Sequence, residues 1–135
     1  MIQTIGLPTA RAALQLRAGN PAKAIELLEA TAPYELGVGF PYLPVYVRGL
    51  ASLRAGGGAD AKGAFQKILD NPGVDALSVM RPLAQLGLAR GAALAGDAAG
   101  SRRAYQDFLA LWKDADLDIP VLREARAEYA KLGDR

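Results

Sequence analysis

Residues 64–69 read AFQKIL, and residues 104–109 read AYQDFL, forty positions further along the chain. Three of the six positions are identical, and Phe65 differs from Tyr105 only by a hydroxyl. A glycine precedes each copy at the same spacing, and a weaker third copy, LRAGNPAKAIELL at 16–28, has Gly19 in the corresponding place. Such internal repetition indicates an array of similar supersecondary units.

Apolar residues within these units recur at intervals of three and four, the period of an α-helix rather than a strand. Helix-forming residues fill most other positions. In AGNPAKA (18–24), Gly19 suits a helix C-cap, Asn20 can cap the next helix, and Pro21 fits its first turn. In the third unit Gly96 and Asp97 can do the same. Links this short place consecutive helices antiparallel.

The sequence therefore predicts an all-α protein with a single domain over residues 1–135. Three antiparallel helical hairpins are expected at about residues 7–33, 42–72 and 78–113, followed by a capping helix at about 120–132. The capping helix, within VLREARAEYAKLGD (121–134), is amphipathic. We expect this helix to cap the array, with its charged residues opposite the apolar side, and to support a homodimer as a further role. The charged side consists of Arg123, Glu124, Arg126, Glu128 and Lys131.

Composition narrows the possible functions. The net charge is only +2, and the acidic and basic residues are interspersed, so we expect no nucleic-acid partner. The chain has no cysteine and no histidine, which excludes disulfides, thiolate chemistry and the commonest general base. No apolar run reaches the roughly 20 residues of a membrane span, and no secretory signal is visible. We expect a cytoplasmic location, with attachment to a membrane-anchored parent as the open alternative.

Two short motifs invite a catalytic or metal-binding interpretation. DADLD (114–118) supplies Asp114, Asp116 and Asp118, but a calcium loop starting there would need glycine and glutamate where Ile119 and Ala125 lie. GGGADAKG (56–63) has the wrong order of lysine and glycine for a phosphate loop. We interpret them as helix ends and a hairpin turn, and predict no enzyme, no metal and no cofactor.

Small and large residues occupy matching places in the three units. The pattern has a small residue in the first helix, glycine at the turn, a small residue early in the second helix and a large residue four positions later. A proline near the end completes it in the first two units. The matching residues are Gly19, Ala24, Leu28 and Pro33; Gly49, Gly56, Ala61, Phe65 and Pro72; and Ala89, Gly96, Ser101 and Tyr105. This pattern resembles the tetratricopeptide repeat, which implies a right-handed superhelix of hairpins. Serine at 101 and glycines at 63, 91 and 100 depart from good helix formers and predict modest stability.

A narrower resemblance covers most of residues 40–132. YLPVYVRGLASLRAGGGADAKGAFQKILDNPG (42–73) and LGLARGAALAGDAAGSRRAYQDFLALWKDADLDIPVLREARAEYAKL (86–132) are similar to the C-terminal tetratricopeptide region of bacterial serine/threonine protein kinases. The resemblance implies a non-catalytic interaction region of a larger polypeptide, because kinase motifs such as HRD and DFG are missing here. The alternative is a structural spacer or dimerisation element of another regulator, such as a transcriptional regulator.

In such an array the first helices of the hairpins line a concave groove. Placing the units by their turn glycines assigns to this face Thr9, Ala13, Leu53 and Leu83, together with the predicted partner-binding residues Arg17, Leu43, Tyr46, Leu50, Arg54, Leu86 and Arg90. An aromatic ring, leucines and arginines suit a peptide with apolar anchors and an acidic or carboxylate end. The competing interpretation is that the leucines belong to the core and the arginines are merely solvated.

Overall fold

A computed structural model describes residues 5–34, 36, 42–74, 78–114 and 118–133. These residues form seven α-helices and one 3-10 helix and contain no strand, which confirms the prediction of an all-α chain. The helices are α1 (Leu7–Arg17), α2 (Pro21–Leu28), the 3-10 helix (Glu29–Tyr34), α3 (Leu43–Arg54), α4 (Gly58–Leu69), α5 (Met80–Leu94), α6 (Ala98–Leu111) and α7 (Pro120–Gly133).

Three connections of the same design join α1 to α2, α3 to α4, and α5 to α6. The middle residue of each is a glycine with positive φ, namely Gly19 at 87°, Gly56 at 79° and Gly96 at 80°. This left-handed conformation lets the amide bond back to the preceding helix, and a Cβ there would be strained. Asp97 caps α6 by accepting a hydrogen bond from the Gly100 amide at 2.9 Å. Asn20 does not cap α2 with its side chain, whose Nδ2 donates to Gln15 instead.

Each helix packs on the next, and the first helices of the three hairpins also pack in order. α1 contacts α3, and α3 contacts α5. By contrast, α4 and α6 touch at most marginally. The array is therefore tighter on the side of α1, α3 and α5 than on the side of the even-numbered helices.

The ring of Phe65 is the tightest point of this packing. It reaches from α4 between α3 and α5, where a Cβ on Gly49 would lie 2.6 Å from its tip and a Cβ on Gly87 would lie 2.5 Å away. Tyr46 packs edge-on against the same ring, with centroids 5.9 Å apart. Glycine is needed at both positions because only a missing side chain leaves room for the ring.

Two departures from the repeat pattern turn out to be part of the packing. A Cβ on Gly91 would lie 3.0 Å from the Lys62 amide, so this glycine allows α4 and α5 to approach closely. The hydroxyl of Ser101, which is fully buried, donates to the carbonyl of Ala89 at 2.8 Å. Both residues therefore have packing roles that helix propensity alone does not indicate, and the modest stability stays a prediction. Gly63, in contrast, has open space around it.

The start of α3 has an unusual backbone. Tyr42, its N-cap residue, has φ of 66°, a left-handed conformation that is unfavourable for a bulky side chain. The ring is fully buried, and its hydroxyl donates to the carbonyl of Asn71 at 2.6 Å. These contacts hold the beginning of α3 against the end of α4 and compensate for the local strain.

We predict that Gly49→Ala and Gly87→Ala each lower the free energy of unfolding by about 1–3 kcal/mol. The Phe65 ring would have to move away from the added methyl group, and the opposite helix blocks that movement. Urea denaturation followed by circular dichroism measures the loss. Gly63→Ala is the control and should stabilise the protein by about 0.5–1 kcal/mol. An equal effect of all three substitutions would show that the ring is not confined.

Candidate functional site

The face formed by α1, α3 and α5 contains most of the predicted partner-binding residues. Arg17 ends α1 and is exposed, and Leu43 begins α3. Leu43, Tyr46 and Leu50 are each partly buried, so each contributes to the core and also leaves part of its side chain at the surface. Burial raises the pKa of Tyr46, and the positive charge of Arg90 on α5 opposes this rise. We call the surface formed by these three α3 side chains and by Arg17, Arg54 and Arg90 the odd-helix face.

Arg54 has a structural contact of its own. Its Nη1 donates to the carbonyl of Leu16 at 2.8 Å, which ties the end of α3 to the end of α1. A guanidinium at a helix C-terminus satisfies a free carbonyl and complements the helix dipole. Arg54 is nevertheless exposed, and Arg17 follows Leu16 directly, so this end of the odd-helix face is basic.

Two residues assigned to this face by sequence lie inside the molecule. Leu86 is only 2% exposed and belongs to the core cluster shared by α5, α6 and α7. Thr9 is also buried, and its hydroxyl donates to the carbonyl of Ile5 at 2.6 Å. Neither side chain offers a contact surface, and for these two positions the interpretation as core residues fits better.

Arg90 is held by the last helix. Its Nε donates to Glu128 Oε2 at 3.0 Å and its Nη2 to Glu128 Oε1 at 2.9 Å, a two-pronged pairing of guanidinium and carboxylate. Its Nη2 also lies 3.5 Å from Glu124. From α6, the hydroxyl of Tyr105 donates to Glu128 at 2.6 Å. The four side chains, Arg90, Tyr105, Glu124 and Glu128, form what we call the α7 latch.

Electrostatics support a stable latch. Burial disfavours the ionised form of Glu128, but the hydrogen bonds from Arg90 and Tyr105 outweigh this and lower the pKa of Glu128. Burial, reinforced by the hydrogen bond to Glu128, raises the pKa of Tyr105, which stays a neutral donor. With one arginine and two glutamates, the latch has a net charge of −1. Arg90 is thus engaged within the chain rather than presented alone to an acidic ligand.

The expected orientation of α7 is correct for its apolar side and wrong for Glu128. Leu122 and Ala125 are fully buried, and Val121, Tyr129 and Leu132 pack against the same cluster. Glu128, expected on the solvent side, faces Arg90. The sequence offers one indication of this pairing. Glu128 lies four positions after Glu124, so the two carboxylates are on the same stripe of the helix, where a basic side chain can meet both. Because its apolar side is in the core, α7 does not present that side to a second copy.

A cleft of about 430 Å³ lies between α4 and α6, with α5 as its floor. Leu69, Leu88, Ala92 and Ala104 supply apolar surface, while Gln66, Gln85, Arg103 and Asp107 supply polar groups. At one end Lys62 pairs with Asp97 at 3.1 Å. The hydrogen bond from Gly100, followed by that from Lys62, lowers the pKa of Asp97. Sequence patterns did not indicate this cleft, because its walls come from three different helices.

The two motifs with possible chemistry lie at helix ends. GGGADAKG forms the turn between α3 and α4 and the beginning of α4. Asp114 and Asp118 lie in turns, and Asp116 falls outside the described residues. Among the residues that the structure describes, no group of three or more acidic, histidine or cysteine side chains is arranged to hold a metal ion.

Within the described part of the chain, none of the helices combines the length and apolar character needed to cross a bilayer. Comparison of the chain with protein-family models, with curated proteins and with solved structures found no match.

We predict that Glu128→Gln lowers the free energy of unfolding by about 1 kcal/mol at neutral pH, a moderate value because Glu128 remains 33% exposed. The pKa of Glu128 is lowered from its ordinary value of 4.5, so its contribution is present above that pH and is lost as the pH falls through the lower pKa of the folded protein. The parent should therefore lose more stability than the variant on acidification.

Urea denaturation of both proteins, between about pH 7 and pH 3, followed by the fluorescence of Trp112, measures this difference. Trp112 is the single tryptophan and packs against the cluster that contains α7. Glu124→Gln is the control, because Glu124 is 65% exposed and its longer contact should be worth less than about 0.5 kcal/mol. Equal losses in the two variants would contradict a specific role for Glu128.

Proposed function

We propose that this chain is a non-catalytic protein-interaction module that binds a peptide segment of a partner along the odd-helix face. The observation that carries the proposal is that α3 contacts both α1 and α5, while α4 and α6 touch at most marginally. A row of hairpins that is tighter on one side curves toward that side, so the odd-numbered helices would line the inside. We propose a tetratricopeptide-like right-handed superhelix for this arrangement.

The repeat identity is supported by three packing features. The turn glycines adopt the same left-handed conformation at equivalent positions. The large residue of the second unit, Phe65, fills the space left by Gly49 in its own hairpin and by Gly87 in the next. Ser101, which replaces the small residue of the third unit, still packs directly on α5. Each feature is what a stack of similar hairpins requires.

The charges of the face indicate the chemistry of the peptide. Leu43, Tyr46 and Leu50 provide partly exposed apolar surface for side-chain anchors. Arg17 and Arg54 make one end basic, whereas the α7 latch makes the other end negative. We propose a peptide that places an acidic group or its carboxyl terminus near the arginines and a basic group near the latch. The sequence alone had included Arg90 among the arginines that bind the acidic or carboxylate end of the peptide, whereas here that end lies near Arg17 and Arg54.

By resemblance, we propose that the module belongs to the C-terminal region of a bacterial serine/threonine protein kinase and acts in the cytoplasm, where it recruits a substrate or regulator. The second candidate is a dimerisation element of another regulatory protein, such as a transcriptional regulator. The observation that favours this second candidate is the exposure of Leu7 and Leu14 on α1.

Selection of peptides from a random displayed library against the immobilised chain tests the proposed function. Selected peptides should carry apolar anchors and an acidic end, and Leu43→Ala should weaken their binding by about tenfold, the equivalent of 1.4 kcal/mol. Leu69→Ala is the matched control, because Leu69 is also a partly buried leucine at a helix end but lines the cleft between α4 and α6. Circular dichroism verifies that both variants fold.

Loss of binding in Leu69→Ala alone would move the ligand to the cleft and overturn the assignment to the odd-helix face. A library that yields no binder to the folded chain would contradict peptide binding.

A further inference from the structure

The cleft between α4 and α6 is separate from the odd-helix face. Its floor contains Gln85, Leu88 and Ala92, which follow one another at spacings of three and four and therefore lie on one stripe of α5. Arg90 is two positions from both Leu88 and Ala92, and at about 100° per residue this puts it on the opposite side of the helix. A ligand in the cleft therefore binds on the other side of α5 from the odd-helix face.

One end of the cleft is occupied by contacts within the protein. Lys62 of α4 pairs with Asp97 at the start of α6 at 3.1 Å, and Asp97 also accepts a hydrogen bond from the Gly100 amide at 2.9 Å. These groups satisfy one another, so a ligand would have to compete with the protein for them. The groups available to a ligand are those further along the α6 wall.

Two charged side chains on that wall are unpaired. Arg103 and Asp107 both line the cleft, and among the residues that the structure describes neither side chain forms a hydrogen bond or an ion pair. They are one helical turn apart, with Cβ atoms separated by about 6 Å, in the order arginine then aspartate, which favours mutual pairing less than the reverse order. The cleft thus presents a guanidinium and a carboxylate that have no partner of their own.

Apolar surface lies beside these two charges. Ala104 follows Arg103 on the α6 wall, Leu69 lines the α4 wall, and Leu88 lies on the floor. The volume of about 430 Å³ is in the lower part of the range of small-molecule sites. A partner helix, about 10 Å across with its side chains, would need a larger groove. The ligand that fits is small, with an apolar body and with one negative and one positive group close together.

The sum of the charges around the cleft also favours such a ligand. Lys62 and Arg103 carry two positive charges, and Asp97 and Asp107 carry two negative charges, so the lining is neutral. A neutral lining with both signs of charge attracts neither a simple anion nor a simple cation over long distances. It matches a zwitterion, in which each charged group meets its opposite at short range.

We propose that the cleft binds a free amino acid with an apolar side chain. The carboxylate of the ligand pairs with the guanidinium of Arg103, its ammonium group pairs with the carboxylate of Asp107, and its side chain lies on Leu69 and Leu88. Both charged groups of a free amino acid are attached to one carbon atom, so a single molecule can bridge two side chains that are one helical turn apart.

Gln85 provides a further contact for the ammonium group. Its Nε2 donates to the carbonyl of Ala104 at 3.3 Å, which leaves its side-chain oxygen as an acceptor. The carbonyl of Ala104 is directed along α6 toward the next turn, where Asp107 lies. The amide oxygen and the carboxylate are therefore placed at the same level of the cleft.

Titration of the 15N-labelled chain with L-valine, L-leucine and L-phenylalanine, followed by amide chemical shifts, tests the site in this protein of 14.2 kDa. At least one of the three should bind with a Kd below about 1 mM and should shift signals around Gly100 and Ala104. The N-acetyl derivative of that amino acid lacks the ammonium group, and the amide derivative lacks the carboxylate. Each derivative should bind at least about tenfold more weakly.

Variants separate the two charged contacts. Arg103→Gln should raise the Kd about tenfold and abolish the discrimination against the amide derivative, because the carboxylate has lost its partner. Asp107→Asn should do the same for the N-acetyl derivative. Arg102→Gln is the matched control, since Arg102 is the neighbouring exposed arginine, does not line the cleft, and has its Nη2 3.5 Å from the carbonyl of Leu132. Its Kd should equal that of the parent.

A Kd above about 1 mM for all three amino acids would overturn the inference. So would equal binding of the derivatives, or an equal effect of Arg102→Gln and Arg103→Gln in variants that circular dichroism shows to be folded. Leu43→Ala, on the odd-helix face, should leave the Kd of the amino acid unchanged. The outcome is therefore distinguishable from that of the peptide-binding experiment.

Discussion

The contact of the Phe65 ring with two glycines governs the arrangement of the middle of the molecule. The ring enters from α4 and lies between Gly49 of α3 and Gly87 of α5. Because neither glycine has a side chain, α3 and α5 come close enough to pack on each other beneath the ring. The proposed odd-helix face includes side chains of both α3 and α5 and therefore depends on one aromatic residue and on two missing methyl groups.

The third unit uses the equivalent position in a different way. Tyr105 replaces Phe65, and its hydroxyl donates to Glu128 of α7, which also pairs with Arg90. The last helix is thus held by an apolar cluster and by a charged latch, whereas the Phe65 ring at the equivalent position of the second unit makes apolar contacts. This difference matters for the proposed peptide site, because Arg90, a basic residue of the odd-helix face, belongs to the α7 latch, whose net charge is negative.

The two ends of the array contrast in surface chemistry. The C-terminal end is closed by α7 with charges outward, while the N-terminal end exposes Leu7 and Leu14 on a basic helix.

The amino-acid sequence by itself determined the helices, the hairpin turns and the pairing of large with small residues. These features follow from local rules: a left-handed turn favours glycine, and an apolar period of three to four favours a helix. The tertiary structure alone decided the partner of Glu128, because hydropathy assigns a charged residue to solvent and cannot register an arginine 38 positions away. It also decided that Leu86 is core, that Tyr42 adopts a left-handed conformation, and that a cleft opens over α5. Each of these depends on the relative placement of several helices, which no single stretch of sequence encodes.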